Sequence, residues 1–415
     1  MCAMRPRYMS THQRRVTRRV VILLSIVAID AAGIGAIFPV LPGLLRHLTG
    51  SADVSLLYGA VVASYALAQL VSAPLLGGLS DRFGRRPVLL VSIAGAAIDY
   101  AVMAFTPIAW GLLVGRLIAG ATSANAAVAA SYITDVTSGE RRTRYIGYVS
   151  GAYSAGFIFG PVLGGLLGNI SPRVPFLAAA VLCGLNLGLV YFMLPESRNG
   201  SRATMIRLNP VGQIRRALAI GPLARLMATY GVIELIANFT GTIWALYGLD
   251  RFHWNAATLG ASFAAHGVSH VVSLGLIAGY LALRLGERRA IIVGIVCDCI
   301  AMIAISTTHH GWIAFALTPL FAIGSIGLPV LQSAMTRVVD ADAQGELQGV
   351  LASVTSAASI VGPLFASVVY ASTRESWIGG AWILGAACYV LTVPLLKSGQ
   401  LPSTRTAPRE QSMAA

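Results

Sequence analysis

Asp30, Asp99, Arg116, Glu234, His270 and Asp298 lie inside stretches of sequence that are otherwise apolar. At about 1.5 Å of helical rise per residue from the nearest arginine-rich gap, the three aspartates fall roughly 12–20 Å into a bilayer, near its middle. Glu234, Arg116 and His270 count to similar depths. A charge there costs at least about 2.5–3.5 kcal/mol on insertion scales, so each must face a cavity or find a partner. Ion pairs that hold helices together are one reading. Four carboxylates against one arginine and one or two histidines leave acids over, however. An unpaired buried acid takes up a proton or awaits a cation. Proton carriage and cation binding are the chemistry this set can do.

The elements that carry these residues must be membrane helices. The chain has 415 residues, of which 56% are hydrophobic and 11% charged, and its mean hydropathy is +0.73. A soluble domain is roughly 25% charged, so the composition excludes a soluble enzyme, a nucleic-acid binder and a disordered chain. With about 20 apolar residues per span, there is room for roughly a dozen spans and no separate soluble domain. Apolar runs between charged gaps predict spans over 20–45, 57–80, 87–107, 108–134, 144–168 and 173–195, then 222–248, 256–284, 289–306, 311–337, 345–371 and 377–397.

The net charge of +14 is unevenly placed. Arginines crowd the first 19 residues, Arg82/Arg85/Arg86, Arg141/Arg142/Arg144, Arg198 to Arg225 and Arg284/Arg288/Arg289, while the intervening gaps are nearly uncharged. This alternation is the positive-inside pattern with both termini cytoplasmic, and it accounts for the basic tail without nucleic acid. The five cysteines lie mostly in apolar runs and form no disulfide framework. No G-x-x-x-x-G-K-[ST] loop occurs, so ATP is not the expected energy source.

The chain divides into a basic cytoplasmic tail (1–19), a six-helix half (20–195), a polar, arginine-rich cytoplasmic linker (196–221), a second six-helix half (222–397) and a cytoplasmic tail (398–415). The halves echo one another. Gly77 and Gly84 recur as Gly279 and Gly286, and Gly160-Pro161 as Gly362-Pro363, each displaced by 202 residues (279 − 77, for instance). Parallel six-helix repeats are a secondary-transporter architecture, with the substrate site expected at the repeat interface near mid-membrane.

Two motifs join these observations. The short turn Gly77-Gly78-Leu79-Ser80-Asp81-Arg82-Phe83-Gly84-Arg85-Arg86-Pro87 links two apolar helices. Gly84 can take a positive φ, Pro87 suits the first turn of the following helix, and Asp81 can meet an arginine or a helix N-terminus. The string resembles the loop motif of the major facilitator superfamily. Gly156, Gly160, Pro161, Gly164 and Gly165 form the second motif, whose glycines let helices approach closely and whose proline bends the helix. It resembles the antiporter motif of drug–proton exchangers in that superfamily.

The resemblance narrows to the tetracycline efflux pumps of Gram-negative bacteria. It runs through Asp30-Ala31-Ala32-Gly33-Ile34-Gly35, Pro39-Val40-Leu41-Pro42, Asp81 to Leu90, Ile98-Asp99-Tyr100, Gly115-Arg116-Leu117, Asp250-Arg251-Phe252 and Gly345-Glu346-Leu347-Gln348-Gly349. It implies exchange of a tetracycline–magnesium cation for a proton, with Mg²⁺ arriving only as part of the drug chelate and no resident cofactor. It makes Asp298 the proton-exchanging carboxylate and His270 its coupling partner, with Asp99 and Asp30 in the same machinery. Arg116 holds charge opposite Asp99 or Asp30, and Gln69 and Asn238 match drug-lining positions. Asp135 is the expected partner of Arg85 in a gating loop with Gly77, Ser80, Asp81 and Gly84, and a plain helix-end acid is the alternative. This chain departs from the family at Leu274, where a glutamine is usual, and at Glu234, where a neutral amide is usual. His266, four residues before His270, shares its helical face; without a third ligand a polar cavity lining is preferred to a metal site.

The expectation is therefore an all-α, twelve-helix major facilitator fold in the bacterial inner membrane, moving a small-molecule drug against protons, with no nucleic acid and no covalent chemistry. The rival readings are an antiporter for another amphipathic drug and a non-transporting receptor on the same fold. A receptor need not keep insertion-costly acids.

Overall fold

The computed structural model describes residues 11–197, 221–340 and 343–397, and every described element is helical apart from turns. The expected linker lies outside the described residues from 198 to 220, as do the first ten residues and the C-terminal tail. Apolar side chains in lipid leave the backbone no water to bond, and helices satisfy it internally. Eleven helices among the described residues are long and apolar enough to cross a membrane, and the apolar segment Gly380–Leu396 is a shorter twelfth. The chain is a multi-pass, all-α membrane protein. Phe192 and Leu283 point outward at 84% and 89% exposure, which only a lipid surround makes favourable.

In chain order the first helices are α1 (Thr11–Ile37), α2 (Leu41–Thr49), α3 (Ser55–Phe83), α4 (Arg85–Phe105), α5 (Ala109–Thr122), α6 (Asn125–Val136), α7 (Gly139–Gly168) and α8 (Val174–Met193). Then follow α9 (Gly221–Arg251), α10 (Ala256–Val272), a π-helical turn (Ser273–Ile277), α11 (Ala278–Leu285), α12 (Glu287–Thr307), α13 (Gly311–Gly324), α14 (Gly327–Val338) and α15 (Gln344–Thr373). The last span is α16 (Gly380–Cys388), a 3₁₀ turn (Tyr389–Leu391) and α17 (Thr392–Lys397).

Three features differ from the apolar-run reading. Helix α1 begins at Thr11, inside the basic stretch, because arginines do not break a helix. The run 20–45 is two helices, since the chain turns at 38–40 and restarts with Pro42 in the first turn of α2. The fourth and tenth spans are each interrupted: α5 gives way to α6 at Ser123-Ala124, and α13 to α14 at Ser325-Ile326. These interruptions are also 202 residues apart. So are Gly84 and Gly286, whose φ values of +103° and +82° turn the chain into α4 and α12.

The described residues fall into two compact units, one drawn from Met1–Leu208 with Ala245–Gly267, the other from Asn209–Trp244 with Val268–Ala415. In the first, α1 packs most extensively on α7, α3 on α5, and α4 on both α5 and α8. The α1–α7 contact needs the glycine motif. A methyl group at Gly156, Gly160 or Gly164 would overlap the carbonyls of Ala28, Ala32 or Ala36 respectively, so the two backbones touch at four-residue intervals. Gly165 and Gly260 let α7 and the start of α10 approach in the same way. Arg46 of α2 pairs with Asp250 at the end of α9, 2.5 Å away. In the second unit α12 lies against α13 and α16, beside the rings of Trp244, Phe321 and Trp382, whose centroids are 5.5–6.1 Å apart.

Candidate functional site

Among the described residues, polar clusters occupy the spans of both units. In the first, α4 brings Asp99 against Arg116 of α5. Both are buried, and their side chains form an ion pair. Gly115, next to Arg116, leaves the space that the Asp99 carboxylate fills, since a methyl group there would come within 2.6 Å of Asp99 Oδ1. The guanidinium also lies 5.4 Å from the ring centroid of Tyr65 and 5.7 Å from that of Tyr100. A cation enclosed by a carboxylate and two aromatic faces is fixed in place.

The break between α5 and α6 organises the rest of this cluster. Ser123, in extended conformation, accepts a hydrogen bond from Gln69 Nε2 at 2.9 Å, and its hydroxyl lies 2.8 Å from that of Tyr65. Two residues on, Asn125 opens α6 and donates from Nδ2 to Asp30 Oδ1 at 2.9 Å. Asp30 is half-buried on α1, and among the described residues no cation lies within 4 Å of its carboxylate. Ser123 and Asn125 are absent from the sequence-derived set; a glycine-poor, polar stretch in the middle of an apolar span, Thr122-Ser123-Ala124-Asn125, is the signal that marks them.

In the second unit Asp298 of α12 is 7% exposed and accepts a hydrogen bond from the phenol of Tyr389. A methyl group at Gly324, the last residue of α13, would sit 2.7 Å from Asp298 Cβ and Cγ. Each unit thus seats a buried aspartate on its third membrane span against a glycine of its fourth. The partners differ: Asp99 has a guanidinium, whereas no arginine or histidine among the described residues lies within 4 Å of the Asp298 carboxylate. His270 is half-buried on α10, three residues before the π-helical turn that contains Leu274, and is not within ion-pair reach of Asp298.

Glu234 and Asn238 are one turn apart on α9. Glu234 Oε1 accepts from Tyr230 at 3.0 Å and from Thr355 at 3.2 Å. Asn238 donates its amide to the backbone carbonyl of Glu234 at 2.9 Å and packs on Gly362, so this donor is turned onto its own helix. Among the described residues no cluster of three or more metal-ligating side chains occurs.

The turn between α3 and α4 is built around Arg85. Its guanidinium meets Asp135 at 3.0 Å, Asp81 at 2.9 Å and Ser80 at 3.1 Å. Gly77 lies in the last turns of α3, and a methyl group there would meet nothing within 4 Å. Glu196, which the sequence places at the start of a linker, belongs to this site. Its carboxylate accepts the backbone N–H groups of Arg85 and Arg86 at 2.8 and 3.0 Å, capping α4 where the helix dipole is positive. Gly84 makes room for it, as a methyl group would come within 2.6 Å of the Glu196 carboxyl carbon. Tyr132 donates to the carbonyl of Pro195 at 2.7 Å and Ser197 to Asp135 at 3.2 Å, which completes the clamp. A single acid directly after an apolar run on a basic face was the only sequence signal.

Comparison with known proteins places these clusters in a family. The Major Facilitator Superfamily pattern matches residues 23–269 and 226–414. The chain is 46% identical to the class C tetracycline resistance protein of Escherichia coli, over 91% of this chain and 96% of that one. It is 44% identical to the class G tetracycline resistance protein of Vibrio anguillarum, again over 91% and 96%. The fold matches the crystal structure of a bacterial homolog to the human lysosomal transporter Spinster, inward-facing and unoccupied, with a TM-score of 0.74 and 14% identity, covering 94% of this chain and 96% of that one.

Proposed function

The chain belongs to the tetracycline resistance proteins of the Major Facilitator Superfamily, and we propose that it exports tetracycline, as a chelate with Mg²⁺ or a similar divalent ion, in exchange for protons across a bacterial inner membrane. The observation that carries this reading is the contrast between two buried aspartates. Asp99 is neutralised by Arg116, and its charge is fixed. Among the described residues the Asp298 carboxylate meets the Tyr389 phenol and no cation, so it can gain and lose a proton without breaking an ion pair. Asp298 is the proton carrier on this reading.

The cargo is cationic, and acids without a fixed counter-charge suit it. Asp30 and Glu234 offer carboxylate oxygens held by neutral donors, Asn125 for the first and Tyr230 and Thr355 for the second. Mg²⁺ prefers octahedral oxygen ligands and keeps water, so it travels bound to the drug's own oxygens. Gln69 and Ser123 supply an amide and a hydroxyl to polar groups of the drug, and His270 links drug occupancy to proton release. Transport requires the drug to bind the cytoplasm-facing and outward-facing states with unequal affinity. The chain performs translocation and no covalent chemistry. The arginine clusters orient both termini to the cytoplasm.

Uptake of labelled tetracycline into everted vesicles under an imposed pH gradient tests the reading. Uptake should need the gradient and should fall when a chelator removes divalent ions. Uptake indifferent to the chelator would discard the chelate. A second reading, the same exchange acting on another amphipathic cation, draws support from the inward-turned Asn238 amide and from Leu274. Another drug moving where tetracycline does not would select it.

A further inference from the structure

Tyr389 stands outside every motif in the sequence, yet it is the hydrogen-bonding partner of Asp298. It is 3% exposed, and its phenol oxygen points at Asp298 Oδ2. Its backbone lies in the 3₁₀ turn between α16 and α17, an interruption of a membrane helix in its last part. Short 3₁₀ stretches inside helices mark hinges or strain. Gly324 closes the other side of the carboxyl, so the acid is confined between a backbone and a phenol. The titratable neighbours on the elements around it are Cys297 and Cys299 on its own helix, Tyr389, and Cys388 at the end of α16. Among the described residues no cation lies within 4 Å.

Resting on the reading of Asp298 as proton carrier, we propose that Tyr389 is a positioning residue that stabilises the deprotonated carboxylate in place of a cation and so sets the pH at which the pump releases its proton. A hydrogen bond to a carboxylate is charge-assisted and roughly twice as strong as one between neutral groups. The phenol therefore grips the carboxylate and holds the protonated acid weakly. An arginine in its place would fix the charge, as Arg116 does at Asp99; a phenol favours the charge without locking it. In the step itself the Asp298 O–H bond breaks, the proton passes to water on the cytoplasmic side, and the electron pair stays on the carboxylate. Tyr389 keeps its own proton throughout. Because the phenol sits on the 3₁₀ turn, the change in grip reaches the backbone of the last span.

The test uses the full chain in everted vesicles, with drug uptake measured against external pH at constant gradient. Tyr389→Phe should move the profile to higher pH by about one to two units, the size expected for loss of a hydrogen bond to a charged group. Energy-independent exchange of drug for drug should be unchanged. Tyr389→3-fluorotyrosine, a stronger donor of nearly the same shape, should move the profile the opposite way. This second variant decides the matter if Tyr389→Phe fails to insert, since a packing role predicts no such shift. Asp298→Asn, run in parallel, separates the two ideas. If it abolishes proton-driven uptake while both Tyr389 variants keep the wild-type profile, the role of Tyr389 is overturned and the carrier reading stands. If Asp298→Asn still pumps, the carrier reading fails and the role of Tyr389 fails with it.

Discussion

Glu287 and Arg337 form an ion pair at the positions 202 residues beyond Arg85 and Asp135, with the two charges exchanged. The repeat has kept the pair and reversed its sign. The two pairs are not equal, however. Arg85 is 8% exposed and meets three oxygen partners, whereas Arg337 is 34% exposed and meets one carboxylate besides the Ser333 hydroxyl on its own helix. Buried charge-assisted bonds outweigh exposed ones, which contribute about 0–1 kcal/mol. Arg85→Ala should therefore cut the initial rate of vesicle uptake by about tenfold or more, and Arg337→Ala by about threefold or less, each normalised to protein in the membrane. Equal losses would show that the second pair matters to transport as much as the first.

Asp298→Asn should uncouple the pump. Asparagine keeps the shape and can still meet Tyr389, but it carries no proton. Accumulation of drug against a gradient should vanish while exchange of internal for external drug continues. Accumulation at the wild-type rate would move the carrier role to Asp30 or Glu234, the half-buried acids of the spans that form no ion pair among the described residues.

Asp99→Asn should behave differently because it leaves Arg116 buried and unpaired. Removing one partner of a buried pair costs about 3–5 kcal/mol, which is a stability defect before it is a transport defect. The variant should unfold in detergent at a clearly lower temperature than wild type, and Asp298→Asn should not. A melting temperature unchanged by Asp99→Asn would mean that the two aromatic faces suffice to hold the guanidinium.

Gly160→Ala places a methyl group against the backbone of Ala32, while Gly147→Ala, on the same helix, meets nothing within 4 Å. The first should reduce folded protein in the membrane and the second should be silent or slightly favourable, since alanine is the better helix former by about 1 kcal/mol. Quantifying detergent-stable protein for both variants checks this. Similar yields would remove the close-contact role from the glycine motif.

The sequence makes much of this legible because membranes impose few solutions. Arginine alternation marks the spans, and the 202-residue echo marks the duplication. The buried acids announce themselves through their insertion cost. What stays hidden is whatever depends on two distant segments meeting. Glu196 caps α4 from 110 residues away, and nothing in its neighbours records the backbone N–H groups it reaches. Tyr389 is one of 14 tyrosines, and only the fold selects it. The break at Ser325 falls inside an apolar run that reads as unbroken, and at Ser123 the polar residues show without the break itself, because hydropathy says nothing of φ and ψ.

The contact of α1 with α7 through Ala28, Ala32 and Ala36 has a mechanical corollary. At these three points backbone meets backbone and there is no rotamer to change, so α1 and α7 are held closely together, with Asp30 carried on α1. A local adjustment of side chains at this contact cannot reposition Asp30. Its amide partner Asn125 stands on α6, beyond the break at Ser123-Ala124, so the Asp30–Asn125 hydrogen bond ties α6 to the paired helices α1 and α7.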